Sequence, residues 1–390
     1  MKKIYFDCAA TTPIDSTVKK AMLPYFSEKF GNPSSLHSFG QEVMAAIDDS
    51  REKIARSIGA NFHEIIFTGS ATEANNLALR GAMKFFNNQK ISPLRIIISA
   101  IEHESILETA RSLEKEGIEI IYLPVNKQGI VDLKKLKDSL NERTILISIM
   151  YANNEIGTIQ PIAEIAKIIS EFKKGEKISF PYPLFHTDAV QAFQFLNCDV
   201  EKLSVDLMTL SGHKIYGPKG VGALFMKHIP NSEFQILNSI ITGGGQEFGL
   251  RSGTENVPAI VGFAKAAELA VKNRKKESEK IGQLTNYFWQ KIKKIFPKTE
   301  INGSRNRLPN ILNVYFSNRR AEDLLIKLDL AGVAVSSGSA CSSRSTKLSY
   351  VLKAVGCDDK RIKSSLRFSF GKFTTKKEID EVIKIMENIL

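Results

Sequence analysis

Four side chains in this sequence are of types that could do covalent or proton-transfer chemistry: Lys214, Cys341, His103 and Asp188. Lys214 lies in Leu207-Met208-Thr209-Leu210-Ser211-Gly212-His213-Lys214-Ile215-Tyr216-Gly217-Pro218-Lys219-Gly220, an apolar run that turns small and basic and is then broken by glycine and proline. The pattern predicts a buried strand that delivers the lysine to a cavity wall. A surface lysine stays protonated, with a pKa near ~10.4, whereas partial burial can leave a neutral amine able to form a Schiff base. Most lysines of a basic chain are simply solvated, so this reading depends on partners elsewhere. Cys341 lies in Ser336-Ser337-Gly338-Ser339-Ala340-Cys341-Ser342-Ser343-Arg344-Ser345-Thr346-Lys347, a loop almost wholly of small and polar residues. A core cysteine sits among apolar neighbours; here Arg344 and Lys347 favour an accessible thiolate. Cys8, Cys198 and Cys357 lack that setting, and with no Cys-x-x-Cys pair the four cysteines suggest neither a disulfide framework nor a metal site.

His103 and Asp188 each follow an apolar strand-like run, where the strand ends of open α/β sheets form a ligand crevice. His103 there can lie on a planar ring or move a proton, and it can equally cap a helix. Asp188 can pair with a protonated ring nitrogen, the partner that lets pyridoxal phosphate act as an electron sink, or can cap a turn. After the run 64–68 comes Gly69-Ser70-Ala71-Thr72-Glu73. Strand, glycine, small hydroxyl residues and helix together aim backbone N–H groups and a positive dipole end at an anion such as phosphate. The same residues make an ordinary N-cap, with Glu73 in the first turn. Asn153-Asn154 can hold a polar ring substituent or close a turn. Arg367 alternates with Leu366 and Phe368, so it faces away from them and can hold a carboxylate in a fork or form a salt bridge. The small residues of Asp7-Cys8-Ala9-Ala10-Thr11-Thr12-Pro13 suit a close approach of the backbone to a ligand, or a plain turn.

Strand-like runs give way to polar residues just past Thr68, Ala100, Met150, His186 and Leu210, and helical spacing recurs between them, as over 17–30 and 41–58. That alternation predicts a mainly parallel sheet covered on both faces, its strand ends forming one crevice. Residues 243–256 read as a flexible polar loop at a rim or subunit contact, and 258–283 as a long helix. Beyond it, strands over 310–316, 333–336 and 366–370 with helices over 321–330 and 376–390 suit a smaller α+β domain. The expected division is a large α/β domain, 16–258, and a small domain, 1–15 with 259–390, that carries the cysteine loop.

With 390 residues, 43% of them hydrophobic and 25% charged, the chain is of ordinary globular composition. No apolar stretch approaches the ~18 residues of a membrane span, and Met1-Lys2-Lys3 leads straight into a strand-like run, so a cytoplasmic protein is expected. The net charge of +12 invites a nucleic-acid reading. Its lysines and arginines are spread out, however, and the densest run, Lys272-Asn273-Arg274-Lys275-Lys276, is followed by Glu277 and Glu279. A solvated helix face is the reading, with no stable nucleic-acid binding.

Taken together, the chain resembles the cysteine desulfurases, pyridoxal-phosphate enzymes of the class V aminotransferase fold (fold type I) that supply sulfur for iron-sulfur clusters and related products. The most specific segments are Ser211 to Gly220, Asn153-Asn154-Glu155-Ile156-Gly157 and Ser336-Ser337-Gly338-Ser339-Ala340-Cys341; the last resembles the subgroup with a long, mobile cysteine loop. The resemblance implies a large domain with a seven-stranded, mostly parallel sheet. It implies that Lys214 forms the Schiff base with pyridoxal 5'-phosphate, that His103 stacks on the ring, and that Asp188 pairs with its nitrogen. Gln191 and Asn154 would contact the phenolic oxygen side or the substrate. Ala71, Thr72, Ser211 and His213 would hold the phosphate, joined by Thr254 from the second subunit of a homodimer. Arg367 and Asn154 would bind the carboxylate of L-cysteine, and Cys341 would carry the sulfur as a persulfide to an acceptor such as an iron-sulfur scaffold protein or to tRNA thiolation, with no metal. Departures are Tyr151-Ala152 where many relatives have His-Val, a lengthened connection at Phe180-Pro181-Tyr182-Pro183, and a loop after Cys341 that lacks an expected proline. A small-amino-acid aminotransferase would share Lys214 and Asp188 but have no use for Cys341. A selenocysteine lyase would prefer the selenium substrate, and a scaffold would need no cofactor.

Overall fold

The computed structural model describes residues 3–87, 94–176, 182–228, 236–338 and 348–389. In chain order its strands are β1 (Ile4–Tyr5), β2 (Ile65–Thr68), β3 (Arg95–Ser99), β4 (Glu119–Leu123), β5 (Thr144–Ser148), β6 (Leu184–Asp188), β7 (Leu207–Ser211), β8 (Gly222–Met226), β9 (Glu300–Ile301), β10 (Ile311–Tyr315), β11 (Val333–Ala334) and β12 (Ser365–Ser369). The helices are α1 (Ser16–Met22), α2 (Ser38–Ser57), α3 (Ala71–Asn87), α4 (Glu104–Lys115), α5 (Leu133–Ser139), α6 (Ile162–Gly175), α7 (Val200–Leu203), α8 (Val257–Ile295), α9 (Ala321–Leu330), α10 (Tyr350–Ala354), α11 (Asp359–Ile362) and α12 (Lys376–Ile389).

A seven-stranded sheet in the order β2-β8-β7-β6-β5-β3-β4 forms the centre. From β7 to β4 every pairing is parallel, as the strand–helix alternation predicts. Strand β8 runs antiparallel to β7 and β2, because the short connection from Ser211 to Gly222 turns the chain straight back instead of crossing over through a helix. Successive residues of one strand enter opposite cores, as a two-residue period requires. Phe67, Ile97 and Ile147 pack on one face, and Ile66, Ile96 and Leu146 on the other. Helices α2 and α8 cover the first face, α3 and α4 the second.

A second, three-stranded sheet, β12-β10-β9, is antiparallel, and β1 pairs in parallel with β11. Their core holds Phe6, Phe288, Phe368 and Phe370, with ring centroids 4.8 Å apart for Phe6–Phe370 and Phe288–Phe368. Helix α8 runs on to Ile295, past the expected end near residue 283; Val257 to Ala270 contribute to the main core, and Ile281, Phe288 and Ile292 to the second.

Two local expectations are corrected. The helix expected over 17–30 ends at Met22 and passes into a tighter turn, Leu23–Phe26, because Pro24 has no N–H to continue the α ladder. The segment 243–256, expected to be a flexible polar loop at a rim or subunit contact, is exposed at Gly243 to Gly245, Phe248 and Thr254 but is also anchored: Leu250 is buried, and Glu247 is a buried carboxylate that accepts from Arg51 Nη1 (2.7 Å), Arg51 Nη2 (2.8 Å) and Phe67 N (2.7 Å). Among the described residues no helix is long and apolar enough to cross a membrane.

Candidate active site

The carboxyl ends of the central strands open on a cavity of about 200 Å³. Ala71, Thr72, His103, Asn154, Asp188, Gln191, His213, Lys214 and Arg367, all singled out from the sequence, line it together.

Lys214 closes the single turn Gly212–Lys214 that follows β7. Its Nζ donates to the carbonyls of Ala9 (2.6 Å) and Ala10 (2.9 Å), so the small residues after β1 dock the lysine itself. Thr12 fastens the two segments: its N and Oγ1 both donate to the His213 carbonyl, at 3.0 and 2.8 Å, and its Oγ1 accepts from Tyr216 N. Tyr216 has φ +65°, a left-handed conformation costly for a side chain of this size, held just after the lysine turn. Gln191 Nε2 donates to the same Ala9 carbonyl at 2.9 Å.

Asp188 ends β6, caps the turn that follows and also lines the cavity. Oδ1 caps the turn by accepting from Val190 N (2.9 Å), while Oδ2 accepts from Asn75 Nδ2 (2.9 Å) at the cavity wall. His103 is likewise both cap and wall: its Nδ1 accepts from Ser105 N as α4 begins. Burial lowers its pKa and the positive charge of Lys214 adds to that, against the opposing pull of Asp188, so the neutral ring is favoured. His213 is pushed down to about 4, first by burial and then by Lys214 and Lys219.

At the opposite end, α3 starts at Ala71, with Ser70 Oγ accepting from Glu73 N (3.2 Å) and Glu73 Oε2 from Gly69 N (3.0 Å). The cap is thus formed, and the first turn of α3 lines the cavity through Ala71 and Thr72. Strand β8 abuts it so closely that a Cβ on Gly222 would stand 2.8 Å from Ser70 C and 2.9 Å from Ala71 N.

The paired amides divide their work. Asn153 closes the turn, its Oδ1 accepting from the N–H of Glu155 (2.8 Å) and Ile156 (3.0 Å). Asn154 lines the cavity, with a buried Oδ1 that has no protein partner. Arg367, 1% exposed, donates from Nη1 to the Asn154 carbonyl and from Nη2 to Asp7 Oδ1, both at 2.8 Å, while facing the cavity. It is thus both an ion-pair member and a wall residue.

Ser211 and Thr254 do not line this cavity. Ser211 lines a neighbouring recess with Ser70, His213 and Lys219, and Thr254 a third one with Gly69, Glu247 and Arg251. Cys341, Arg344 and Lys347 lie outside the described residues. Sequence reasoning passed over Asn75, Ser105 and Asp7. Asn75 is three residues beyond Thr72, on the same face of α3, and that spacing could have placed it at the cavity.

Comparison with known proteins agrees with this arrangement. The family model described as aminotransferase class-V matches residues 4–382. Cysteine desulfurase IscS of Dictyoglomus turgidum is 45% identical over 390 residues, covering 100% of this chain and 95% of that protein. The chain belongs to the class-V aminotransferase family, among its cysteine desulfurases. The mitosomal cysteine desulfurase of Trachipleistophora hominis is 46% identical over 98% of this chain and 85% of that one. Among solved structures, a NifS-like protein from Rickettsia africae superposes with a TM-score of 0.85 at 38% identity, covering 100% of this chain and 99% of that one. SspA, solved in complex with cysteine, gives 0.81 at 36% identity over 96% of this chain and all of that one. The mostly parallel seven-stranded sheet is that of the fold type I enzymes, as the sequence implied.

Proposed function

We propose that this desulfurase converts L-cysteine to L-alanine with pyridoxal 5'-phosphate held in the central cavity, and hands the sulfur from Cys341 to an acceptor protein. The observation that carries the reading is the convergence in one cavity of an amine (Lys214), a carboxylate (Asp188), a helix start (Ala71, Thr72) and a guanidinium (Arg367). These suit the cofactor's aldehyde, its ring nitrogen, its phosphate and the substrate carboxylate. The unpartnered Asn154 Oδ1 and Asn75 Oδ1 fit the same group, since buried oxygens without donors are rare in a finished site. Ser211 and His213 complete the phosphate end, and Thr254 reaches it from a second copy of the chain. When bound, the cofactor supplies an electron sink for the carbanion next to the amino group.

The chain's own residues do the rest. Arg367 orients the substrate through its carboxylate, and Lys214 Nζ takes the proton from Cα. His103, neutral and at the wall, covers the ring face and can pass a proton. Cys341 Sγ forms a bond to the substrate sulfur as the Cβ–S bond breaks. The electron pair stays on Cβ, which takes a proton and becomes the methyl of alanine. Sulfur leaves as a persulfide for acceptors of the kind used in iron-sulfur cluster assembly or tRNA thiolation.

A homodimer is part of the reading, supported by exposed Phe26 (64%), Phe30 (67%), Leu36 (92%) and Phe39 (54%), unusual on a solvated surface and suited to a second copy. A cytoplasmic setting and a division into a large unit, 16–258, and a small unit, 1–15 with 259–390, are part of it too; the aromatic core joining Phe6 to Phe368 and Phe370 supports the latter. The test is purified protein with L-cysteine and a thiol, following alanine and sulfide together. Cys341→Ala should keep the cofactor's absorbance and lose turnover; alanine release at the normal rate by that variant would remove Cys341 from the reaction.

A further inference from the structure

Two cavity residues that the sequence did not single out, Asn75 and Ser105, stand between the carboxylate of Asp188 and the ring of His103. Asn75, on α3, is fully buried. Its Nδ2 donates one hydrogen to Asp188 Oδ2 at 2.9 Å and the other to Ser105 Oγ at 2.8 Å. Ser105 Oγ lies 2.9 Å from His103 Nδ1, and Ser105 N donates to the same ring nitrogen at 3.1 Å. A chain of hydrogen bonds thus runs from the end of β6 through α3 to the start of α4. Asn75 Oδ1 is buried without a protein partner. An apolar side chain would fill this place in a helix at lower cost, so what the asparagine supplies is its two hydrogens.

The direction of each bond follows from the groups themselves. A carboxylate only accepts, so the Asn75 atom that faces Asp188 is its nitrogen. His103 Nδ1 has a backbone N–H aimed at it and cannot carry a hydrogen of its own. The Ser105 hydroxyl, already accepting from Asn75, turns its single hydrogen to that same nitrogen. The proton of the neutral ring therefore sits on Nε2. Burial, before any charge, disfavours the protonated ring; Asp188 and Glu104 oppose this and Lys214 adds to it. A neutral imidazole held in this way at a helix N-terminus is a hydrogen-bond donor.

We propose that Asn75 is a positioning residue for the reaction: one amide hydrogen fixes the Asp188 carboxylate, and the other, through Ser105, fixes His103 as the tautomer that donates a hydrogen bond from Nε2. This rests on the reading of the cavity as the pyridoxal phosphate site. One side chain then sets the two groups that would meet the ring, one at its nitrogen and one on its face, and a shift of Asn75 misplaces both together.

The test is made on the holoenzyme. With isotope-labelled histidine, and His103→Gln to assign the signal, NMR of the wild type should show His103 with Nδ1 bare and Nε2 protonated; a proton on Nδ1 would overturn the proposal whatever the variants do. Ser105→Ala removes a donor that favours the neutral ring, so the His103 pKa should rise, and an unmoved titration would count against the chain of bonds. Asn75→Ala should lower kcat by about ten-fold with KM for L-cysteine changed by less than about two-fold, because the Arg367 contact with substrate is untouched. Asn75→Asp keeps the shape but offers Asp188 no hydrogen at about pH 8, and should lower kcat at least as far. A kcat within about two-fold of wild type in Asn75→Asp would mean that shape alone suffices, and the proposal fails. If the Asn75 variants do not fold, the tautomer and the Ser105→Ala titration carry the test. Wild type that retains no pyridoxal phosphate in equilibrium dialysis overturns the reading beneath and the proposal with it; wild type that retains it and turns over L-cysteine, with Asn75→Asp its equal, overturns the proposal alone.

Discussion

The Arg51–Glu247 pair offers a sharp test of how the segment 243–256 is held. Its side chains are 6% and 2% exposed, and the carboxylate accepts two guanidinium bonds and the Phe67 amide. Arg51 also donates to the Ile65 carbonyl at 2.6 Å and lies 4.9 Å from the ring centres of Phe67 and Phe248. Replacing Glu247 by Gln turns one acceptor into a donor facing other donors and strands a guanidinium in a dry site. Breaking a buried pair this way costs about 3–5 kcal/mol. With an unfolding entropy of about 0.8 kcal/mol/K for a chain of 390 residues, Tm should fall by about 4–6 °C. Urea and thermal unfolding of wild type, Glu247→Gln, Glu247→Leu, Arg51→Met and the double variant Arg51→Met/Glu247→Leu measure the effect. The double variant should lose at least about 2 kcal/mol less than Arg51→Met and Glu247→Leu together, since apolar side chains replace both charges among three aromatic rings. Additive losses, or a shift below about 1 kcal/mol for Glu247→Gln, would refute the view that this pair pins the segment.

Three further outcomes are expected. Glu102 is fully buried with Oε2 unpartnered, and burial, aided by Asp188, raises its pKa well above the usual range. The unfolded chain therefore loses this proton first as pH climbs past about 4.3, so the carboxyl subtracts stability progressively up to its folded pKa. Glu102→Gln should gain stability relative to wild type between pH 5 and pH 7.5 in urea unfolding, and a gap that stays constant or narrows would contradict this. Gly222→Ala pushes a methyl into the backbone of Ser70 and Ala71, and should weaken retention of pyridoxal phosphate by at least about ten-fold in equilibrium dialysis, as expected for a misplaced helix start. Asp7→Asn removes the charge that fixes Arg367 Nη2, and should raise KM for L-cysteine by about ten-fold with a smaller effect on kcat, the pattern of lost ground-state binding.

What the sequence makes legible follows from range. Ile96-Ile97-Ile98 and Leu146-Ile147 are apolar at every position because both sheet faces are covered, and a run of that kind needs no distant partner to be recognised. Lys214, Asp188 and His103 were legible as cavity candidates because each follows an apolar run that gives way to a polar turn, where the strand ends of an open sheet form a crevice. For Asn75 the spacing from Thr72 marks the cavity face of α3, but nothing local marks the carboxylate 113 positions away that it meets. Glu247 looked like a loop residue among glycines because its partner is 196 positions away. The small residues around Ala9 and Ala10 mark a place where backbone can come close, but that their carbonyls dock the lysine 205 and 204 positions away is not written locally, since every residue has a carbonyl.

Asp7 and Arg367 are 360 positions apart, and the strand just before Asp7 finds its partner only at Val333 and Ala334. At about 5–20 residues per second, a ribosome takes roughly 20–70 s between making the first member of that pair and the second. Until residue 367 has been made, the Asp7 carboxylate has no guanidinium to fix, so a nascent chain lacks the Arg367 wall of the cavity even after its lysine has been made.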